Sequence, residues 1–152
     1  MDTESSQAAQ SDLLKETIEM IVVSSRFARR ATQQSHTGRS LVAWRTLGNL
    51  DFEGPQRVTE LAAREKVGQS TMSEIVSNLE KDGLVTRTKD PADGRAFRIE
   101  ITELGRSELH KNRAQAAQAL QPALARLTAF DRAVLVRATE LLDQITNAPE
   151  NK

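Results

Sequence analysis

Between Gln69 and Lys81, apolar Met72, Ile75, Val76 and Leu79 recur at i, i+3, i+4 and i+7, which collects them on one face of an α-helix. The opposite face begins with Gln69, Ser70, Thr71 and Ser73 and continues through Glu74, Ser77, Asn78 and Lys81. Short hydroxyls and amides exchange hydrogen bonds at close range, which suits them to base edges and phosphates in a groove rather than to an ordinary solvated surface. A second set of polyanion-seeking groups lies further on: Arg87 and Lys89, then Arg95 and Arg98, clustered around the turn Asp90-Pro91-Ala92-Asp93-Gly94.

Both sets need rigid supports. Upstream, Val58–Val67 is expected to form a short helix with Leu61, Ala62 and Glu65 in its body and Thr59 or a neighbour as its cap; Gly68 lies in the connection to the Gln69 helix. Gly83 follows the last turn of that second helix, where a left-handed stop is expected. Downstream, Leu84–Thr88 and Ala96–Ile101 are β-rich, partly alternating runs joined by the basic turn. Helix, short turn, helix, strand, turn, strand describes a winged helix-turn-helix, so the fold class expected is mainly α (an α+β winged helix), and the partner expected is double-stranded DNA.

The residues also carry a family likeness. Leu61-Ala62, Gln69-Ser70-Thr71-Met72-Ser73, Leu79-Glu80-Lys81-Asp82-Gly83-Leu84-Val85, Asp90-Pro91-Ala92-Asp93-Gly94-Arg95 and Ile99-Glu100-Ile101-Thr102-Glu103-Leu104-Gly105 resemble the MarR family of bacterial transcription regulators. The most specific part is the wing, Asp-Pro-x-Asp-x-Arg followed by a Thr-x-x-Gly helix start. The resemblance implies that Asp93 steadies the wing and that Arg95 reaches from its tip toward a minor groove. A guanidinium on a stiff hairpin is drawn there by the negative potential of a narrow, A·T-rich groove. It further implies a homodimeric repressor on a pseudo-palindromic operator, with recognition helices roughly 34 Å apart.

Two positions depart from the family pattern. Many relatives carry a cation near Gly68 or Gln69 and another where Glu74 stands. Their replacement either weakens phosphate contacts or lets Glu74 accept from a cytosine amino group. The operator therefore cannot be transferred from relatives.

Composition constrains the rest. A chain of 152 residues can bury a sizeable core, and the absence of cysteine excludes disulfides and thiolate metal sites. No metal site or cofactor is expected. The 21 acidic and 21 basic residues cancel, which is awkward for a polyanion binder, but the charges are unevenly spread. Residues 1–20 are acidic, whereas 21–50 carry Arg26, Arg29, Arg30, Arg39 and Arg45 and no acid. No apolar run reaches the roughly twenty residues needed to cross a membrane, and a cytoplasmic location is expected.

Flanking helices complete the expected single MarR-like domain over residues 11–147, between a disordered tail at 1–10 and a frayed one at 148–152. Within it the helix-turn-helix and wing occupy about 55–101, and dimerisation helices occupy about 11–35 and 102–147. Leu14, Ile18, Ile21, Val22 and Phe27 stripe the first helix, expected from Leu13 to Ala31; Leu41–Leu50 forms another. Thr102 should cap a long helix bent at Pro122, and Thr128 a last one with Asp131 as its capping-box partner. These apolar stripes exceed what a small winged lobe can cover, which points to a homodimer.

Catalytic chemistry is not apparent: His36 and His110 stand far apart, with no nucleophile motif or phosphate loop near them. No enzyme is expected. The resemblance allows a small aromatic or anionic effector, and His36, Trp44 and Arg45 fall where its pocket would lie, an arginine beside an indole being able to hold a carboxylate against an apolar wall. The alternative to a DNA-binding regulator is a protein-interaction module on the same scaffold, which the net neutrality and Glu74 would permit.

Overall fold

The structure, a computed structural model, describes residues 2–32 and 38–147. Elements follow in the order α1 (Asp2–Thr32), α2 (Leu41–Glu53), α3 (Val58–Glu65), α4 (Gln69–Lys81), β1 (Val85–Lys89), β2 (Phe97–Ile101), α5 (Glu103–Leu124) and α6 (Ala129–Thr146). They fall into two compact units, one made of Ser35–Gln115 and the other of Met1–Gln34 with Ala116–Lys152.

The first unit is the expected winged helix-turn-helix. Ser40 caps α2 by accepting from the Ala43 amide, and Gly54, at φ +81°, ends it. At α3 the Glu60 carboxylate accepts from the Arg57 amide at 2.7 Å, so the helix is capped from Arg57 rather than from Thr59. The left-handed residue of the inter-helix turn is Lys66, at φ +53°, while Gly68 is extended and serves as N-cap of α4. Gly83, at φ +73°, ends α4 as its position in the sequence suggests: its own amide donates to the Glu80 carbonyl and the Leu84 amide to the Leu79 carbonyl.

β1 and β2 pair antiparallel in the register Val85 with Ile101 through Lys89 with Phe97, each strand starting one residue later than the β-rich runs suggest. The other edge of β2 is met by Gln56, which exchanges both backbone hydrogen bonds with Ile99. Leu47, Leu50, Leu61, Met72, Val76, Leu79, Leu84 and Ile99 are all at most 2% exposed and form one core that fixes α2, α3, α4 and the strands together.

The Thr-x-x-Gly spacing at the start of α5 has a structural cause in Thr102 and Gly105. The Thr102 hydroxyl donates to the Gly83 carbonyl at 2.7 Å and accepts from the Gly105 amide at 3.0 Å. A Cβ on Gly105 would stand 2.1 Å from the Leu84 carbonyl oxygen, so only glycine lets the helix lie this close to β1.

In the second unit α1 begins at Asp2 rather than at Leu13; no glycine or proline interrupts the stretch. α5 continues through Pro122 to Leu124, and Thr128 caps α6 by accepting from the Asp131 amide at 3.1 Å while its hydroxyl donates to the Asp131 carboxylate. Leu14, Ile18, Ile21 and Phe27 of α1 and Phe130, Val134 and Ile145 of α6 are each at least half exposed, and no described residue of α6 is buried. No helix among the described residues is long and apolar enough to cross a membrane.

Candidate nucleic-acid interface

The site grows from α4. Met72, Val76 and Leu79 are buried and Ile75 partly so, and the helix can therefore turn only its polar side outward. Gln69, Ser70, Thr71, Glu74, Ser77, Asn78 and Lys81 are exposed; Ser73 is half-buried against the neighbouring groove. That groove is lined by Thr59 of α3, Gln69 and Ser73 of α4, and Arg87 and Phe97 of the two strands. The N-terminal half of α4 and the middle and turn end of the hairpin strands thus share one open face.

The hairpin itself is held by Asp90. Its side chain is fully buried, accepts from the Ala92 amide at 2.9 Å and the Arg57 guanidinium at 2.7 Å, and forms an ion pair with the Arg98 guanidinium at 3.1 Å. The Ala92 amide and Arg57, with Arg98 adding, hold the carboxyl at about 2, below its ordinary 3.8, against the opposing effect of burial. Arg57 is pushed up in turn, chiefly by its hydrogen bond to Asp90. The base of the wing is in this way bolted to the residue that starts α3.

Asp93 sits at the tip, where its carboxylate accepts from the Arg95 amide at 3.1 Å and its carbonyl from the Ala96 amide at 2.9 Å. It orders the turn locally; the anchor is Asp90, which the sequence motif contains but to which sequence reasoning assigns no role. Nor is Arg57 legible from the motif, because it reaches Asp90 only through the pairing of Gln56 with Ile99. The one available signal was Glu60 three residues after Arg57, which marks a helix start.

The cations of this unit divide into occupied and available groups. Arg98 is engaged by Asp90 and the Pro55 carbonyl, Arg87 by Glu80 at 2.9 Å, and Arg39 by Asp82 at 2.7 Å. Arg64 pairs with Glu53, and Arg106 and Arg113 with Asp51. Among the described residues of this unit Lys66, Lys81, Lys89 and Arg95 are exposed and make no ion pair or side-chain hydrogen bond. Near-zero net charge is therefore compatible with a locally cationic face, since half of the lobe's acids are spent on arginines that brace it.

The residues considered for an effector do not converge. His36 lies outside the described residues. Trp44 is 9% exposed and belongs to the core, with the Arg39 guanidinium 5.7 Å from its ring centroid. Arg45 is next in sequence but turns outward onto the Glu65 carboxylate at 2.9 Å, whose other oxygen accepts from Asn49. A ligand carboxylate at Arg45 would have to displace Glu65.

Comparison with known proteins agrees with this geometry. The MarR family model matches residues 40–97. An uncharacterized HTH-type transcriptional regulator, Mb0904, of Mycobacterium bovis is 34% identical over 104 residues, which are 68% of this chain and 72% of that protein. The HTH-type transcriptional repressor IacR of Pseudomonas putida is 32% identical over 68 residues, 45% of this chain and only 41% of its own length. Among solved structures, transcriptional regulator Tm0710 from Thermotoga maritima superposes with a TM-score of 0.63 at 27% identity, covering 91% of this chain and 94% of that one.

Proposed function

The chain belongs to the MarR family, and from that premise we propose that it is a sequence-specific DNA-binding transcriptional regulator, a homodimeric repressor rather than an enzyme. α4 enters the major groove of a duplex operator, Arg95 enters the flanking minor groove, and Lys81 and Lys89 neutralise phosphates on either side. The observation that carries this reading is the single open face shared by Gln69 and Ser73 of α4 with Arg87 and Phe97 of the wing. An α-helix fits a major groove, and a hairpin mounted beside it reaches the next minor groove.

Dimerisation follows from the second unit. Water-exposed Leu14, Ile18, Ile21, Phe27, Phe130 and Ile145 make an apolar surface that an isolated chain would not keep in solution, and a second copy of the same helices is its natural cover. Two-fold symmetry then demands half-sites about one helical turn apart.

A mobility-shift titration with the DNA upstream of the protein's own gene tests the function. A discrete complex that survives excess non-specific duplex is expected. A protein displaced as readily by random duplex as by that DNA would favour the interaction-module reading instead.

A further inference from the structure

Ser70, Glu74, Ser77 and Lys81 follow one another at i, i+4, i+7 and i+11, so at 3.6 residues per turn they occupy a sector about 60° wide. That sector lies opposite buried Met72, Val76 and Leu79. These four side chains are the crest of α4, and whatever groove receives the helix receives them most deeply. Glu74 is the one acid among them. It is exposed, and among the described residues it makes no hydrogen bond or ion pair.

A carboxylate at that place is selective by elimination. The floor of the major groove presents mostly acceptors, namely guanine O6 and N7, adenine N7 and thymine O4, all of which repel it. Only the cytosine and adenine amino groups can donate. Adenine N6 lies between two acceptors, its own N7 and the O4 of the paired thymine, whereas cytosine N4 is flanked by an acceptor on one side only, the guanine O6. Ser70 and Ser77, one turn away on either side, are neutral and short, so neither cancels the charge nor holds the helix away from the bases.

We propose that Glu74 is a specificity-determining residue of this protein, selecting cytosine at one position of each half-site by accepting a hydrogen bond from its N4 amino group. The inference rests on the DNA-binding reading above and names the base class that this reading leaves open.

Binding-site selection from a random duplex library, run with the full chain and with Glu74→Ala and Glu74→Gln, tests it. The unaltered protein should enrich cytosine at one position per half-site, with a preference of about fivefold to tenfold over other bases. Glu74→Ala should lose that preference while the other positions keep theirs, and Glu74→Gln should move it toward adenine, whose N6 and N7 suit an amide. Because Glu74 is exposed and makes no hydrogen bond or ion pair among the described residues, both variants should melt with the unaltered protein, and melting is measured alongside. Identical base frequencies in all three, or a rise in affinity of Glu74→Ala that is uniform over sequences, would overturn the assignment. Should even the unaltered protein enrich no sequence, the DNA-binding reading fails and Glu74's role fails with it.

Discussion

Arg95 and Arg98 stand three residues apart on one hairpin, yet only one has a free guanidinium. Arg98 spends its charge on Asp90 and the Pro55 carbonyl, whereas Arg95 is anchored by its backbone amide alone and leaves its side chain in solvent. Arg95→Ala should therefore weaken operator binding by about 1–3 kcal/mol, reduce the log-log salt slope by about one unit, and leave the melting temperature unchanged. Arg98→Ala should show the reverse emphasis, a lower melting temperature first and weaker binding as its consequence. Titrations at several salt concentrations beside thermal melts separate the two. Asp90 adds a pH signature. Its folded carboxyl titrates at about 2 and its unfolded one at 3.8, so the stabilisation is complete above the unfolded value and is lost as pH falls toward the folded one. The melting-temperature gap between the unaltered protein and Asp90→Asn should be flat from about pH 5 to 7 and close below about pH 4. A gap that widens in acid would contradict the buried bridge.

At the scale of elements, α4 was the most legible part of the chain because two independent signals coincide. The i, i+3, i+4, i+7 stripe sets its face and Gly83 sets its end, and both appear where the residues place them. The short strands were placed within one residue, since alternation in so brief a run does not fix its first hydrogen bond. What could not be read were contacts made through pairing of distant segments: Gln56 on the edge of β2, and Arg57 on Asp90. The left-handed turn residue was also hidden, because Lys66 takes a conformation that glycine prefers while Gly68 next door does not use its freedom. Energetic consequences differ sharply by face. Met72→Ala, deep in the core, should destabilise the lobe by about 2–5 kcal/mol, while Ser77→Ala on the crest should stay within about 0.5 kcal/mol. Gly105→Ala should cost about 3 kcal/mol or more, because its methyl collides with the Leu84 carbonyl and α5 must move to admit it. Urea titrations check all three.

For the molecule as a whole, the sequence revealed that the terminal helices are too apolar to stand alone, but not how they are arranged. The exposed stripe of α1, with Leu14 at 61%, and that of α6, with Phe130 at 76%, predict a dimer at micromolar concentration by sedimentation velocity. A monomer there would remove the two-fold argument and with it the palindrome. Phe130→Asp should shift the protein toward monomer and lower operator affinity together, since two half-sites are then no longer engaged at once. The crest of α4 and the tip of the wing are expected to meet the same duplex. Hydroxyl-radical footprinting on the bound operator, with the unaltered protein and Arg95→Ala, addresses this most directly. Protected patches in two half-sites about one helical turn apart, with the flanking minor-groove protection missing in the variant alone, are the predicted result. Flanking protection that persists without Arg95, or a complex that leaves no footprint, would contradict it.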